Sequence, residues 1–210
     1  MNQQRIMLGA GGHARVLLDE LSRTGISCDG IVDPNRDVGT EVSGVPVIAN
    51  QELAPQMRFQ GALLVNGVGM IPGKLARLEL ARKMAEEGRE AEQVISGSST
   101  ISPTASLHSG VQILTKAVVN CDATIGRDAV INTAALVEHD VLIGARAWVS
   151  PGAVICGGVE IGEEAYIGAG AIILQGLKVG SQAVVGAGSV VTKSVGSREK
   201  VVPKISFNRN

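Results

Sequence analysis

The chain has 210 residues, a formal net charge of -1 and only 2% aromatic residues, so it lacks the basic excess that nucleic acid or an anionic membrane would attract. No basic segment followed by a long apolar run opens the sequence, and no apolar stretch of about 18 residues occurs, so neither secretion nor membrane spanning is expected. Three cysteines, Cys28, Cys121 and Cys156, without a CxxC pair, fit a reducing cytoplasm.

The composition changes near residue 93, which predicts two domains, residues 1–93 and 94–210. In the first, Arg5 to Leu8 reads as a strand that ends in Gly9-Ala10-Gly11-Gly12-His13-Ala14. Val16, Leu17, Leu18 and Leu21 then give a helical stripe up to Gly25. Gly30 to Val32 is a second strand ending in Asp33-Pro34, Val45 to Ile48 a short or edge strand, and Gly61 to Val65 a third parallel strand before the Asn66-Gly67-Val68-Gly69 turn. Pro72 is placed as the first residue of a helix with a stripe of Leu75, Leu78, Ala81 or Arg82, and Ala85, and Gln93 to Ser96 as a last strand. The prediction is a small α/β Rossmann-like domain, too short for two full mononucleotide-binding halves.

From Ile95 the pattern changes. Counting in sixes from Ile95 to Val191 meets 17 positions, all aliphatic and all but Leu107 β-branched, while four residues further on stand mostly small residues such as Ala123, Ala135 and Ala153. Neither helix nor extended strand holds a period of six. A hexapeptide solenoid does, with one short strand and one corner per hexad and three hexads per triangular coil. Glycine directly after the aliphatic residue, as at Gly126 and Gly144, is expected to relax the corner. A β-sandwich would not keep one register so long.

Gly9, Gly11 and Ala14 satisfy G-x-G-x-x-A after a strand, and Asp33 follows about 20 residues on. This suggests a nucleotide diphosphate at the helix N-terminus with Asp33 on ribose or base, against a tight turn with nothing bound. His13 is read as a neutral ring that either caps and packs or contacts the ligand. Within the solenoid, Glu138-His139-Asp140 interrupts the apolar monotony one hexad after Asn132. Stacking at 18 residues puts Cys121 below His139 and Gly157 above it. The imidazole would then have a carboxylate beside it and a backbone N–H over it, the parts needed for acyl transfer. A surface histidine at a turn is the bland alternative.

Gly9 to His13, taken with Ile101-Ser102-Pro103-Thr104-Ala105, Asn132-Thr133, Glu138-His139-Asp140, Ile143-Gly144 and Ser150-Pro151-Gly152-Ala153, resembles the bacterial sugar acetyltransferases of the NeuD/PglD type over nearly the whole chain. The resemblance implies a left-handed parallel β-helix and a homotrimer, which the cysteine usage places in the cytoplasm. Acetyl-CoA would lie between neighbouring solenoids, with a nucleotide-linked amino sugar on the N-terminal domain and no metal. By the same resemblance, His139 is the general base, Asp140 its acidic partner and Asn132 the nearby asparagine. Gly157 supplies the amide for the thioester carbonyl, and Ala169 and Ala187 line the pantetheine path. Gly9, Ala10, Gly11, Gly12, His13 and Asp33 form the nucleotide-sugar turn. Trp148 stands where the family commonly has a second histidine at the acetyl or sugar end and is therefore placed with the cofactor-binding residues, and the tail Val201-Val202-Pro203-Lys204-Ile205 departs from the family's Gly-x-Pro-Ala-Lys.

The expected reaction is direct N-acetylation of the sugar amine, with Cys121 a core-like residue rather than an acetyl carrier. The alternatives are O-acetylation of sialic acid or a related hydroxyl, a metal hydratase, for which His13, His108 and His139 are too few and too scattered, and an NAD-binding or non-catalytic module.

Overall fold

The structure, a computed structural model, describes residues 3–50 and 61–203. Strands β1 (Arg5–Leu8), β2 (Gly30–Val32), β3 (Glu41–Val42), β4 (Val45–Ala49) and β5 (Leu63–Asn66) form one sheet in the order β3-β4-β2-β1-β5. It is parallel apart from the β3–β4 hairpin. That hairpin was not expected; Ser43 and Gly44 turn it with left-handed backbones, φ 51° and 77°.

Helix α1 (Gly12–Arg23) covers one face of this sheet, and its Leu17, Leu18 and Leu21 pack with Met7, Val65 and the solenoid residues Val94 and Leu114. Helix α2 (Ala76–Glu86) covers the other face through Leu80 and Met84. It begins four residues later than the Pro72 expectation, because Gly73 takes φ 84° and interrupts any helical run through it. Its buried stripe is accordingly Arg77, Leu78, Leu80, Ala81 and Met84, and Leu75 is exposed. The third central strand starts at Leu63 rather than Gly61, where φ is 80°.

Eighteen two-residue strands follow, from β6 (Val94–Ile95) to β23 (Lys200–Val201), all in parallel ladders. Partners are 18 residues apart: Val119 pairs with Ile101 and Val137, Ile125 with Leu107 and Ile143, Ile131 with Ile113 and Val149. Three hexads thus make one coil, and the coil has three faces. The stacked β-branched side chains and corner alanines fill a continuous buried core from Val111 to Val195.

The first coil is the exception among the inward positions: no coil lies beneath it, and Ile95 is 36% exposed while Ile101 and Leu107 are half-buried. Above Val191 the spacing tightens, and Val179 and Val185 meet Val195 and Val201, 16 residues on.

The corners correct one expectation. From Leu107 to Val185, the residue that takes the left-handed backbone is the third after each inward aliphatic, as at Lys116, Asp128, Asp140, Gly158 and Glu164, with φ between 57° and 67°. Glycines directly after the aliphatic do something else: a Cβ at Gly126 would stand 2.7 Å from the Ala145 nitrogen of the next coil. They allow coils to stack closely rather than turn sharply.

Candidate active site

His139 lies at the second position of its corner, two residues past inward-facing Val137, and its side chain is 57% exposed. The left-handed backbone of Asp140 turns its carboxylate back onto the ring, and Nδ1 lies 2.8 Å from Asp140 Oδ2. An ionised carboxylate only accepts, so Nδ1 carries the proton and Nε2 keeps its lone pair. This hydrogen bond, with the nearby charges of Asp140 and Glu138, raises the His139 pKa above that of a free imidazole. Glu138 is turned away and accepts from Asn120 at 3.0 Å.

The coils above and below are placed by the backbone ladder. Asp140 N–H donates to Cys121 O and Gly158 N–H donates to His139 O. Gly157 therefore sits over the ring, so closely that a Cβ there would come within 2.6 Å of both Cε1 and Nε2. Among the described residues the Gly157 N–H enters no hydrogen bond. A base lone pair beneath an unspent amide donor can remove a proton from a nucleophile and receive the oxyanion that forms. Cys121 is exposed, and among the described residues no cation pairs with it to activate it.

Other expected residues lie elsewhere. Asn132 stands at the preceding corner, where its Oδ1 accepts from Thr133 N–H, and no hydrogen bond links it to His139. Ala169 and Ala187 belong to that same corner, joined by the Gly188 N–H to Ala169 O bond at 2.8 Å, and both are exposed.

At the glycine turn, Gly9 takes φ 98°, and Gly11 and Gly12 have open space where a side chain would be. Both Asp33 oxygens hold backbone, Oδ2 accepting from Ala10 N–H at 2.7 Å and Oδ1 from Asn35 N–H at 2.8 Å. Asp33 shapes the turn first, with only its second lone pairs left for a ligand. Lys204 and Ile205 of the tail lie outside the described residues.

Trp148 is not cofactor-facing. It is 6% exposed and packs against the N-terminal domain, with its ring 5.0 Å from that of His13 and 5.3 Å from the Arg77 guanidinium. The reason is its register: it points outward from a solenoid face that the N-terminal domain covers. His13 Nε2 meets Gln112 Oε1 at 2.7 Å on the same face. Burial, and then the positive Arg77, push the His13 pKa down to about 3. Arg77 is wholly buried, which lowers its pKa to about 10, and it bonds the Asn66 and Val68 carbonyls of the Asn66–Gly69 turn.

Sequence reading missed Arg77 and Gln112. The available signal was a charge within the buried stripe of an amphipathic helix and a lone amide on a face of apolar outward residues.

A second polar cluster ties α2 to the solenoid. Glu164, with 4% of its side chain exposed, receives Arg82 at 2.7 Å, Arg146 at 3.1 Å and Gln182 at 2.9 Å. Among the described residues no three His, Cys, Asp or Glu side chains converge as a metal site, and no helix is long and apolar enough to cross a membrane.

A triangular parallel solenoid with a histidine–carboxylate pair at an outer corner defines a hexapeptide-repeat acyltransferase. Family models agree: residues 140–175 match the bacterial transferase hexapeptide (six repeats) and residues 158–193 the hexapeptide repeat of succinyl-transferase. No curated protein matches the sequence. Among solved structures, the chain is similar to a histidine-to-alanine variant of GDP-perosamine N-acetyltransferase from Caulobacter crescentus in complex with CoA and GDP-perosamine. They share 32% identity and a TM-score of 0.85 over 99% of both chains. It is also similar to the acetyltransferase domain of PglB from Neisseria gonorrhoeae in complex with acetyl coenzyme A (30%, 0.86, 97% of both). WeeI from Acinetobacter baumannii matches at 25% and 0.79 over 96% of this chain and 97% of its own. The chain belongs to the sugar N-acetyltransferases of the hexapeptide-repeat, left-handed β-helix family.

Proposed function

We propose that this enzyme transfers the acetyl group of acetyl-CoA to the amine of a nucleotide-linked amino sugar in glycan or surface-polysaccharide synthesis. His139 is the general base, Asp140 its partner and Gly157 the oxyanion donor. The observation that carries the reading is the His139–Asp140 pair under the unspent Gly157 amide, in a chain whose relatives hold CoA and GDP-perosamine.

The amine attacks the thioester carbon and loses a proton to His139 Nε2. The Gly157 N–H stabilises the tetrahedral oxyanion. Collapse expels the coenzyme A thiolate, which takes the proton back from the imidazolium. Asp140 holds Nδ1–H throughout and so keeps Nε2 aimed at the amine. The unobstructed turn at Gly11 and Gly12 suits the sugar nucleotide, as their open surroundings indicate.

The active assembly in this reading is a cytoplasmic homotrimer. The solenoid face carrying Val118, Leu136, Val154, Ile172 and Val190 outward is apolar from Val118 to Val190, and Val190 is 58% exposed. A second copy is the partner that fits a repeating apolar sheet face. The two corners bounding that face hold His139 on one side and Asn132, Ala169 and Ala187 on the other. A cyclic trimer would set these corners side by side between neighbours, giving coenzyme A a path past the outward amides of Ala169 and Ala187.

His139→Ala is expected to lower kcat by about 10²-fold or more, the scale of a lost general base. Unchanged turnover would remove His139 from the mechanism. Assaying a nucleotide-linked 4-amino sugar against sialic acid separates N- from O-transfer, and activity on sialic acid alone would overturn the N-acetyl assignment.

A further inference from the structure

The interface between the two domains carries a polar network that the transfer reaction itself does not use. Gln112, with no exposed surface, sits among three hydrogen-bonding groups. Its Nε2 donates to the Asn66 carbonyl at 2.9 Å, and its Oε1 accepts from Arg77 Nη2 at 3.3 Å. A carbonyl can only accept and a guanidinium can only donate, so these two partners decide which end of the amide is oxygen. The third contact, Oε1 to His13 Nε2 at 2.7 Å, is thereby decided as well: Nε2 must carry a proton.

Among the described residues the ring also has no carboxylate partner. The charged group that faces it is Arg77, which lies over the same Trp148 ring. Asp128, the buried carboxylate nearest in effect, interacts with Arg77 rather than with the imidazole. A neutral ring with its proton on Nε2 has a bare lone pair on Nδ1. Burial and the positive Arg77 keep it neutral down to about pH 3.

We infer that Gln112 is a positioning residue that locks His13 in the Nε2–H form, so that Nδ1 accepts a hydrogen bond from a hydroxyl or amine N–H of the nucleotide amino sugar rather than meeting a phosphoryl oxygen. This rests on reading the glycine turn as the sugar-nucleotide site. The division of labour follows from chemistry: a phosphoryl oxygen needs donors, which backbone N–H groups at the start of α1 supply, and Nδ1 has none to give. Trp148 completes the arrangement by packing its indole on the imidazole, 5.0 Å between centroids.

The tautomer is measured directly by 15N spectra of histidine-labelled protein. The chain has three histidines, and a His13→Gln sample identifies the signals that belong to His13. The expected spectrum has a protonated Nε2 and an unprotonated Nδ1, with no titration between about pH 5 and 8. A proton on Nδ1, or a ring that titrates in that range, overturns the inference. In Gln112→Glu the new carboxylate favours a charged ring and raises the His13 pKa. KM for the nucleotide amino sugar is then expected to rise about 3- to 10-fold as pH falls, the scale of one lost hydrogen bond. The limb of kcat set by His139 should stay where it is in the native enzyme. A KM increase that is the same at every pH marks Gln112 as merely structural and also overturns the inference. Failure of the underlying substrate reading would look different, because native enzyme would then show no saturation by any nucleotide amino sugar whatever the tautomer.

Discussion

A methyl group added at Gly157 should disable the site and leave the solenoid standing. The new Cβ would lie 2.6 Å from both Cε1 and Nε2 of His139, where ordinary contacts begin at 3.4 Å, so the ring must retreat by about 1 Å. It can do so cheaply, since the imidazole is exposed and its displacement costs only about 0.5–1.5 kcal/mol of rotamer energy. A misplacement of about 1 Å in a reacting group lowers rate by roughly 10²-fold. Gly157 does not occupy the left-handed region, so alanine brings no backbone strain, and Tm should fall by no more than about 6 °C. The assay is kcat/KM with acetyl-CoA and a nucleotide amino sugar, paired with thermal unfolding. Gly97→Ala is the control, because its Cβ would meet only Thr24 Cγ2 at 3.9 Å. Undiminished turnover in Gly157→Ala would show that the imidazole does not work beneath this amide. Lost turnover with a Tm drop of more than about 10 °C would assign the loss to unfolding instead.

Three further outcomes follow from the same geometry. Asp140 raises the His139 pKa through its hydrogen bond, and a base acts only when neutral, so native kcat should fall as pH drops through that raised value. Asp140→Asn lowers the pKa, which should move the acid limb of the pH–rate profile to lower pH and cut the plateau roughly tenfold or more; an unmoved limb would detach Asp140 from the base. Glu164→Ala should cost about 1.5–3 kcal/mol in urea unfolding, less than a fully buried pair, since Arg82 is 44% exposed and Arg146 keeps Glu163. Burial pushes the Glu164 pKa up, but the bonds from Gln182, Arg82 and Arg146 outweigh it and hold it below the ordinary value. Its contribution is therefore present above the unfolded pKa and lost as pH falls through the lower folded one, and a Glu164→Ala deficit that persisted unchanged into strong acid would contradict this. Val154→Glu on the apolar outer face should convert a species of three times 21.6 kDa to one of 21.6 kDa in sedimentation; an unaltered mass would place the subunit contact elsewhere.

How far the site could be read from the chain depended on the kind of neighbour involved. Cys121, His139 and Gly157 become vertical neighbours because each coil spends the same number of residues, so counting by eighteen finds them without coordinates. The same count puts Asn132, Ala169 and Ala187 on a different corner from His139, something that family likeness alone does not reveal. Trp148 was misassigned because its surroundings are set by docking of the N-terminal domain on one solenoid face, which no periodicity records. The start of α2 was misread for a local reason, since proline favours a helix start but Gly73 two residues from Leu75 prevents it.

By itself, then, the order of residues determined the coil. Stacked β-branched side chains and small corner residues admit one register, and register alone brings His139 beneath Gly157. Only the tertiary structure decided how the two domains meet. It buried Arg77, turned Trp148 onto His13 and committed the oxygen of Gln112, because hydrogen bonds between residues as distant in sequence as His13 and Gln112 depend on the docked surfaces and not on any local pattern.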